Sequence, residues 1–414
     1  MRILTINFSD LDGGAARAAY RLHQGLLTIG VGSRMYVQNR SSDDRFVDAP
    51  STAFAKAASK VRPSLDLRPV SRYPNYQRKM FSPAWMPSRG LVDLINGSDA
   101  DVVHMHWVNG GMLRIEDLAR IQRPIVWSMH DMWPFTGGCH YDEECGRYAS
   151  HCGACPILGS DRERDLSYKV FERKSRIYRS LRPITFVGLS HWMATSARNS
   201  ALAQGHNVVE LPNPIDTEVF KPVDRMEARR MLGLPLDRPL ILFGAVNATA
   251  DPRKGFRHLA AALELIPQNS VELVIFGSSR PKDPPRLGHP MHYVGRLSDD
   301  VSLALLYNAA DVSVVPSVQE NLSNTIVESL SCGTPAVAFR IGGNPDMIDH
   351  QQNGYLARPF DAADLASGIR QALDNGTGAW RRAARVSAVE RFGMLRVAER
   401  YKELYGSIIS SERQ

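Results

Sequence analysis

The chain has no apolar run near the ~18 to 20 residues a helix needs to span a bilayer. Its longest candidate, Leu240–Val246, is short enough to be a buried strand. Glycine and proline, 31 and 25 of 414 residues, are too few for a collagen-like or low-complexity chain. No repeat recurs at a fixed period. The first residues reach Asp10 and Asp12 before any signal-like hydrophobic region develops, which predicts a cytoplasmic, unsecreted chain. Cysteine is scarce, and four of the five fall within 17 residues. What is present is ordinary globular composition, 43% hydrophobic, 22% charged and 8% aromatic, at a length that suits two domains.

The net charge of +7 comes from 50 Lys and Arg against 43 Asp and Glu. Residues 1–210 hold 27 basic and 20 acidic side chains, and residues 211–414 hold 23 of each, so the whole excess lies in the first half. Within residues 54–90 there are eight basic side chains and a single acid, Asp66, interleaved with Phe54, Tyr73, Tyr76, Phe81 and Trp85. Cations for phosphates and aromatics for the headgroup level suit peripheral contact with an anionic membrane, at the inner face of the plasma membrane for a cytoplasmic chain. A solvated loop fits the same composition equally well. Nucleic acid is not an expected partner, because no recognised nucleic-acid module accompanies the patch.

Strand and helix patterns alternate. Arg2–Phe8, Arg34–Gln38, Asp101–Trp107, Ile125–His130 and Ile184–Leu189 read as strands in the first half. Leu240–Val246, Glu272–Phe276, Met291–Val294, Val312–Pro316, Pro335–Phe339 and Tyr355–Ala357 do so in the second. Most are short apolar runs, as parallel strands buried on both faces require. Helical patterns lie between them, at Ala15–Leu27, Gly255–Leu265, Ser302–Asn308 and Asn324–Ser331. The fold class is therefore α/β with parallel sheets and ligands at the strands' carboxyl ends. Pro212, Pro214 and Pro222 mark a connector. The predicted domains are 1–210, with a Cys-rich insertion at 139–155, and 211–394, followed by an amphipathic helix within 395–414.

Three features concern phosphate. Gly13-Gly14 follows the first strand and opens a helix, where a ligand can approach the backbone and free N–H groups face an anion. Arg253-Lys254-Gly255 puts two cations at the start of another helix. In the third, Glu320 precedes a helix and Glu328 lies on it, with the loop Asn321-Leu322-Ser323-Asn324 between them and Gly333-Thr334-Pro335 after. Two carboxylates so placed can grip sugar and ribose hydroxyls while the loop amides hold phosphate.

On these residues the chain resembles the retaining glycosyltransferases of family GT4, which have the GT-B fold. Gly13-Gly14, His130, Asn213-Pro214-Ile215-Asp216, Arg253-Lys254-Gly255 and the Glu320/Glu328 pair carry the resemblance over nearly the whole length. The stretches Val103–Trp107 and His130–Gly138 look like the subgroup that builds bacterial exopolysaccharides, the colanic acid type included. The resemblance implies two Rossmann-like domains facing a central cleft, the final helix crossing back to the first domain, and a nucleotide-sugar donor. Position by position it implies ribose on Glu328, donor sugar on Glu320, the leaving diphosphate on Lys254 and Arg253, and phosphates approached by Gly13 and Gly14. It implies His130 at the reacting sugar and Gly277 and Arg296 around the base. A saccharide or polyprenyl-diphosphate-linked saccharide is the implied acceptor, and no cofactor is implied for catalysis. Many relatives have Gly-Arg where this chain has Gly244-Ala245, so either Arg253 or the loop Asn247–Asp251 takes that arginine's place. His104 and His106 alternate along one strand and share a face. They fit the acceptor side or plain packing.

Cys139, Cys145, Cys152 and Cys155, spaced C-x5-C-x6-C-x2-C, suit tetrahedral structural zinc. Free thiols, redox pairs and an iron–sulfur cluster are the alternatives. Cys332 reads as a small buried apolar residue. Asp99-Ala100-Asp101 resembles the metal motif of the other large glycosyltransferase fold but precedes a strand, and reads as accident. The functional alternatives are a sugar-nucleotide epimerase or phosphorylase, a donor-binding scaffold without turnover, and a zinc-bearing nucleic-acid binder.

Overall fold

The structure is a computed structural model that describes residues 1–244, 251–297, 299–375 and 378–412. It divides into two compact units, residues 1–212 with 397–414, and residues 213–396.

The first unit is built on a seven-stranded sheet: β1 (Arg2–Ser9), β2 (Gly32–Asn39), β3 (Val47–Asp48), β4 (Val102–Met105), β5 (Ile125–Met129), β6 (Thr185–Gly188) and β7 (Asn207–Glu210). The order is β3-β2-β1-β4-β5-β6-β7, and every pair is parallel. The connections carry α1 (Gly14–Thr28), α2 (Ala53–Asp66), α3 (Arg89–Gly97), α4 (Leu166–Ser180) and α5 (His191–Arg198). Strands β4, β5 and β6 are wholly buried, which is why they are near-continuous apolar runs. The chain order reverses beside β1, so the turns after β1 and β4 leave the sheet at its topological switch point.

The second unit has α6 (Arg225–Leu232), β8 (Leu240–Gly244), α7 (Phe256–Leu263), β9 (Glu272–Phe276), β10 (Met291–Gly295), α8 (Asp300–Ala309), β11 (Val312–Val315), α9 (Asn324–Ser331), β12 (Ala336–Phe339), β13 (Gly354–Ala357), α10 (Ala362–Asn375) and α11 (Ala379–Phe392). Its sheet, ordered β10-β9-β8-β11-β12-β13, is also fully parallel. The connector is fastened within this unit: Ile215 bridges Gly393, and Arg385 donates to the carbonyls of Thr217, Phe220 and Ser331. The final helix, α12 (Met394–Glu412), packs on the first unit's sheet through Val397, Ala398, Tyr401 and Tyr405 beside Ile3, Val102, Val126 and Val187. Two buried tyrosines supply much of that contact, and each hydroxyl is hydrogen-bonded.

All eleven expected strands are present where described. The expected ends at Ala245 and Val246, and the loop residues Asn247–Ala250, lie outside the described residues. β3 and β7 are additional strands. Each is a short edge strand, and β7 exposes residues on both faces, so neither carries a buried-strand pattern.

Candidate active site

The second unit gathers the acidic pair, Lys254 and a helix N-terminus. Pro252–Lys254 forms a 3₁₀ turn capped by the Asp251 side chain, and Gly255 ends it in the left-handed region at φ +71°. Only glycine fits there, since a Cβ would lie 1.8 Å from the Pro316 carbonyl oxygen. The amide of Val318 donates to the Arg253 carbonyl at 2.8 Å, pressing this turn onto the segment after β11. Phe243, Gly244, Lys254, Ser317, Ser323 and Thr325 line a small open crevice at the carboxyl ends of β8 and β11.

Lys254 Nζ lies 3.2 Å from Glu320 Oε2, both largely shielded from water. Glu320 is fixed through its backbone: Gly342, at φ +49°, packs so closely that a Cβ would meet the Glu320 carbonyl oxygen at 1.9 Å. Asn321, Leu322 and Ser323 are buried, and α9 starts at Asn324 without a side-chain cap, so backbone amides at its start have no hydroxyl or carboxylate of the cap residue on them. Glu328, one turn further along α9, is 5% exposed and accepts a hydrogen bond from the Tyr307 hydroxyl at 2.8 Å. Burial and that carboxylate push the Tyr307 phenol well above its usual pKa, so it stays a donor. Gly277 and Gly295, both at positive φ, join the ends of β9 and β10 by a 2.7 Å hydrogen bond, and the exposed Arg296 follows.

Arg253 is placed differently from Lys254. Its guanidinium forms two hydrogen bonds to Asp251, at 3.2 and 2.7 Å. Burial raises the Asp251 carboxyl, but its bonds to Arg253 outweigh that and hold its pKa below the usual range. The charge expected for a diphosphate is therefore neutralised by a neighbour two residues away, a pairing no spacing rule announces.

In the first unit, Gly13 has φ +96° and ends the turn before α1, where a Cβ would meet open space. Gly14 is the first residue of α1, which has no side-chain cap. A buried carboxylate at no diagnostic spacing lies beside this turn. Asp10 is fully buried and accepts from the amides of Leu11, Ser41 and Ser42 at 2.8–3.1 Å. His130 follows β5 and pairs through Nε2 with His106 Nδ1 at 2.8 Å. Next to it, Asp131 accepts from the Trp107 indole at 3.0 Å and lies 2.6 Å from His140, whose other nitrogen meets Ser82.

The four clustered cysteines lie close enough for their charges to interact. Among the described residues no group of three His, Cys, Asp or Glu is disposed to hold a metal ion. Cys139, Cys145, Cys152 and Cys155 are free thiols. Cys139 and Cys155 pack with Val70, Phe81 and Leu158, while Cys152 joins the main core and its Sγ accepts the Gly137 amide at 3.2 Å. The neighbouring imidazoles are committed elsewhere, His140 to Asp131 and His151 to Glu172. Burial raises all four thiols above their ordinary pKa, Cys152 to about 12.

The aromatic members of the 54–90 stretch largely serve this insertion. Phe81 is buried, bridges Cys139 and packs with it, and Tyr73 and Tyr76 pack against the same cluster. Phe54, 84% exposed, and Trp85, 39% exposed, are the rings left at the surface. Asp99 pairs with Arg2 and Asp101 with the amino terminus. No described helix is long and apolar enough to cross a membrane.

Burial lowers the pKa of four imidazoles, His23 to about 4, His104 to about 3, His130 to about 4 and His106 well below the usual value. Above pH 6.5 these groups are neutral in both folded and unfolded chains. Below it the unfolded chain binds protons that the folded chain refuses, so stability falls as pH drops from 6.5 toward 4. Each histidine contributes a slope of roughly 1.4 kcal/mol per pH unit there. Urea unfolding midpoints should fall steadily between pH 6.5 and 5, and a flat series would contradict the burial of this cluster.

Two all-parallel α/β units, one carrying a glycine turn and the other an acidic pair beside a lysine, define the GT-B glycosyltransferase class. The chain belongs to glycosyltransferase family 4, whose model matches residues 12–219, and a model described as glycosyl transferases group 1 matches residues 238–375. It is similar to D-inositol 3-phosphate glycosyltransferase of Acidothermus cellulolyticus, 33% identical over 189 residues, 42% of each chain. The chain spans about half the length of the curated relatives it matches. Among solved structures, sucrose-phosphate synthase from Thermosynechococcus elongatus superposes with a TM-score of 0.68 at 19% identity, covering 99% of this chain and 100% of that one. The Anabaena protein HepE, solved in complex with UDP-glucose, gives 0.64 at 17% identity, covering 98% and 100%. At these identities the two structures speak for the fold.

Proposed function

We propose that the chain is a retaining glycosyltransferase that moves a sugar from a nucleotide-sugar donor to a saccharide or polyprenyl-diphosphate-linked saccharide, in bacterial surface polysaccharide synthesis. The observation that carries this reading is that Lys254, paired with Glu320, lines one crevice with Ser323 and Thr325 at the start of α9, the helix that carries buried Glu328 one turn further on. A diphosphate arriving there neutralises Lys254 and frees Glu320 to accept sugar hydroxyls, while Glu328 accepts ribose hydroxyls. As the glycosidic bond breaks, charge grows on the diphosphate, and a fixed cation in a shielded site stabilises it strongly. The β-phosphate then takes the acceptor's proton, so the protein need supply no base. Arg253 joins the diphosphate by exchanging its Asp251 contacts for phosphate oxygens. Gly13 and Gly14 approach the donor phosphates, His130 meets the reacting sugar, and Gly277 and Arg296 meet the base.

The acceptor reading draws on the basic first half and the stretches at 103–107 and 130–138. Exposed Phe54 and Val61 on α2, with Lys56 and Lys60 between them, fit contact with an anionic inner-leaflet surface. Sedimentation with phosphatidylglycerol vesicles, lost in F54D, checks that contact. A second acceptor, inositol phosphate, is favoured by the relatives named D-inositol 3-phosphate glycosyltransferase. The deciding experiment is a thermal-shift screen against UDP-, GDP-, ADP- and dTDP-sugars, then product analysis with each acceptor class. Sugar transfer with retained anomeric configuration supports the proposal. A new nucleotide sugar formed without acceptor indicates an epimerase, and binding without turnover or hydrolysis indicates a scaffold.

A further inference from the structure

We propose that Cys139, Cys145, Cys152 and Cys155 close around a single divalent metal ion of the zinc class as four thiolates, with the buried Lys174 ammonium as counter-charge. From Thr136 to Asp165 the chain forms neither helix nor strand, apart from the 3₁₀ turn Arg147–Ala149 and one bridge from Cys139 to Phe81. Irregular runs of this length are uncommon inside a compact unit. The buried apolar cluster beneath it is small: Val70, Phe81, Cys139, Cys155, Ile157 and Leu158, two of them the cysteines themselves. A module with so little core is where a metal staple contributes most. Glu143, Glu144 and Ala154 take left-handed backbone at φ +50°, +63° and +41°, in the loops that join Cys139 to Cys145 and Cys152 to Cys155. Non-glycine residues hold such turns only where their surroundings fix them.

The sulfurs share one neighbourhood, each within electrostatic range of the other three. Backbone amides already serve three of them. Gly137 donates to Cys152 Sγ at 3.2 Å, Ile157 and Leu158 donate to Cys155, and Arg147 donates to Cys145. Amide donors on a sulfur favour its anionic form. No three of the described side chains stand ready as a ligand set, so the ion must gather them. Each sulfur swings about a single bond between staggered positions, and metal ions commonly assemble the site they occupy. His140 and His151 are committed to Asp131 and Glu172, which leaves an all-sulfur set. Four thiolates in tetrahedral array suit zinc rather than hard cations.

Lys174 points to the same centre. It is fully buried on α4, and among the described residues no carboxylate forms an ion pair with it. Its ammonium donates to the Trp133 and Thr136 carbonyls and lies 3.5 Å from the centroid of the Trp133 ring. Carbonyls and a ring solvate a cation without neutralising it, and a buried charge lacking a counter-ion is costly. Of the acidic groups that reach it, Cys139 and Cys152 act more strongly than Asp131. On binding, the four thiols release their protons, and a dication held by four thiolates carries two negative charges. Lys174 offsets one of them, and the amides above face the remainder. The metal's role there is structural, and the site does not depend on sugar transfer.

The test is metal analysis of the full chain expressed in zinc-sufficient medium, then Co²⁺ titration of the reduced, chelator-stripped protein. The expected result is one equivalent of zinc, with the four thiols protected from alkylation until chelator is added. Co²⁺ should give the visible bands and sulfur-to-metal charge transfer of a tetrahedral tetrathiolate. Cys145→Ser, at the least buried of the four, should lose stoichiometric metal and keep its circular dichroism. If that variant does not fold, the wild-type Co²⁺ spectrum decides alone. Lys174→Met should weaken Co²⁺ binding about 10-fold to 100-fold. A chain that binds neither zinc nor Co²⁺, disulfides among the four after reducing preparation, or iron with acid-labile sulfide overturns the proposal. Unchanged Co²⁺ affinity in a folded Lys174→Met overturns the counter-charge.

Discussion

Replacing Lys254 with alanine is expected to lower kcat by about 10² to 10³ while donor KM stays within a few-fold. The reasoning is a difference between two states. In the ground state the diphosphate is already spread over several donors, and Lys254 exchanges one carboxylate, Glu320 at 3.2 Å, for another anion. That exchange is nearly even. In the transition state extra negative charge appears on the leaving oxygen, and Glu320 cannot supply or remove it. Lysine's contribution thus grows as the bond breaks, which is the signature of a kcat effect. Steady-state kinetics of Lys254→Ala and Lys254→Arg with the donor from the screen check this. Equal losses in kcat and donor affinity would mean that Lys254 binds ground and transition states alike. Removing the cation leaves a largely shielded Glu320 without this partner, so thermal unfolding of Lys254→Ala is the control for folding.

Glu328→Gln is expected to do the opposite, raising donor KM by about 10-fold to 100-fold with kcat little affected. A hydrogen bond to a buried charged group is worth ~1.5–3 kcal/mol, and ribose hydroxyls donate to this carboxylate in both states. The glutamine keeps an oxygen for the Tyr307 hydroxyl, so the variant tests charge rather than packing. Tyr307→Phe is the control. It removes the hydrogen bond that orients Glu328, leaves the charge in place and should raise KM less than Glu328→Gln. Calorimetric titration with the free nucleoside diphosphate gives a check that does not depend on turnover. An unchanged affinity in Glu328→Gln would move the ribose elsewhere.

The sheets were legible because their strands are buried on both faces, and burial leaves a continuous apolar run such as Leu240–Phe243. β7, Asn207–Glu210, is an edge strand with polar ends and leaves no such trace. In the site, Glu320, Glu328 and Lys254 were readable because a motif ties residue type to a loop–helix position. The tethers were not. Asp10 holds the glycine turn through amides 31 and 32 residues away, and Gly342 crowds Glu320 from across a loop, neither at a diagnostic spacing. Arg253 shows the converse limit, since sequence supplies its charge but not the Asp251 carboxylate that claims it. The cysteine spacing alone does not separate metal ligands from core thiols, and it does not reveal that Cys139 pairs with Phe81 or that Cys152 Sγ accepts the Gly137 amide. The basic stretch at 54–90 misled in part, because composition does not reveal which aromatics turn inward.

The most direct test of the account is a crystal structure with the nucleotide sugar chosen by the thermal-shift screen. The account predicts diphosphate oxygens against Lys254 and the first amides of α9, with ribose hydroxyls on Glu328. A bound donor that leaves the Lys254–Glu320 ion pair intact, its phosphates lodged elsewhere on the chain, would contradict it.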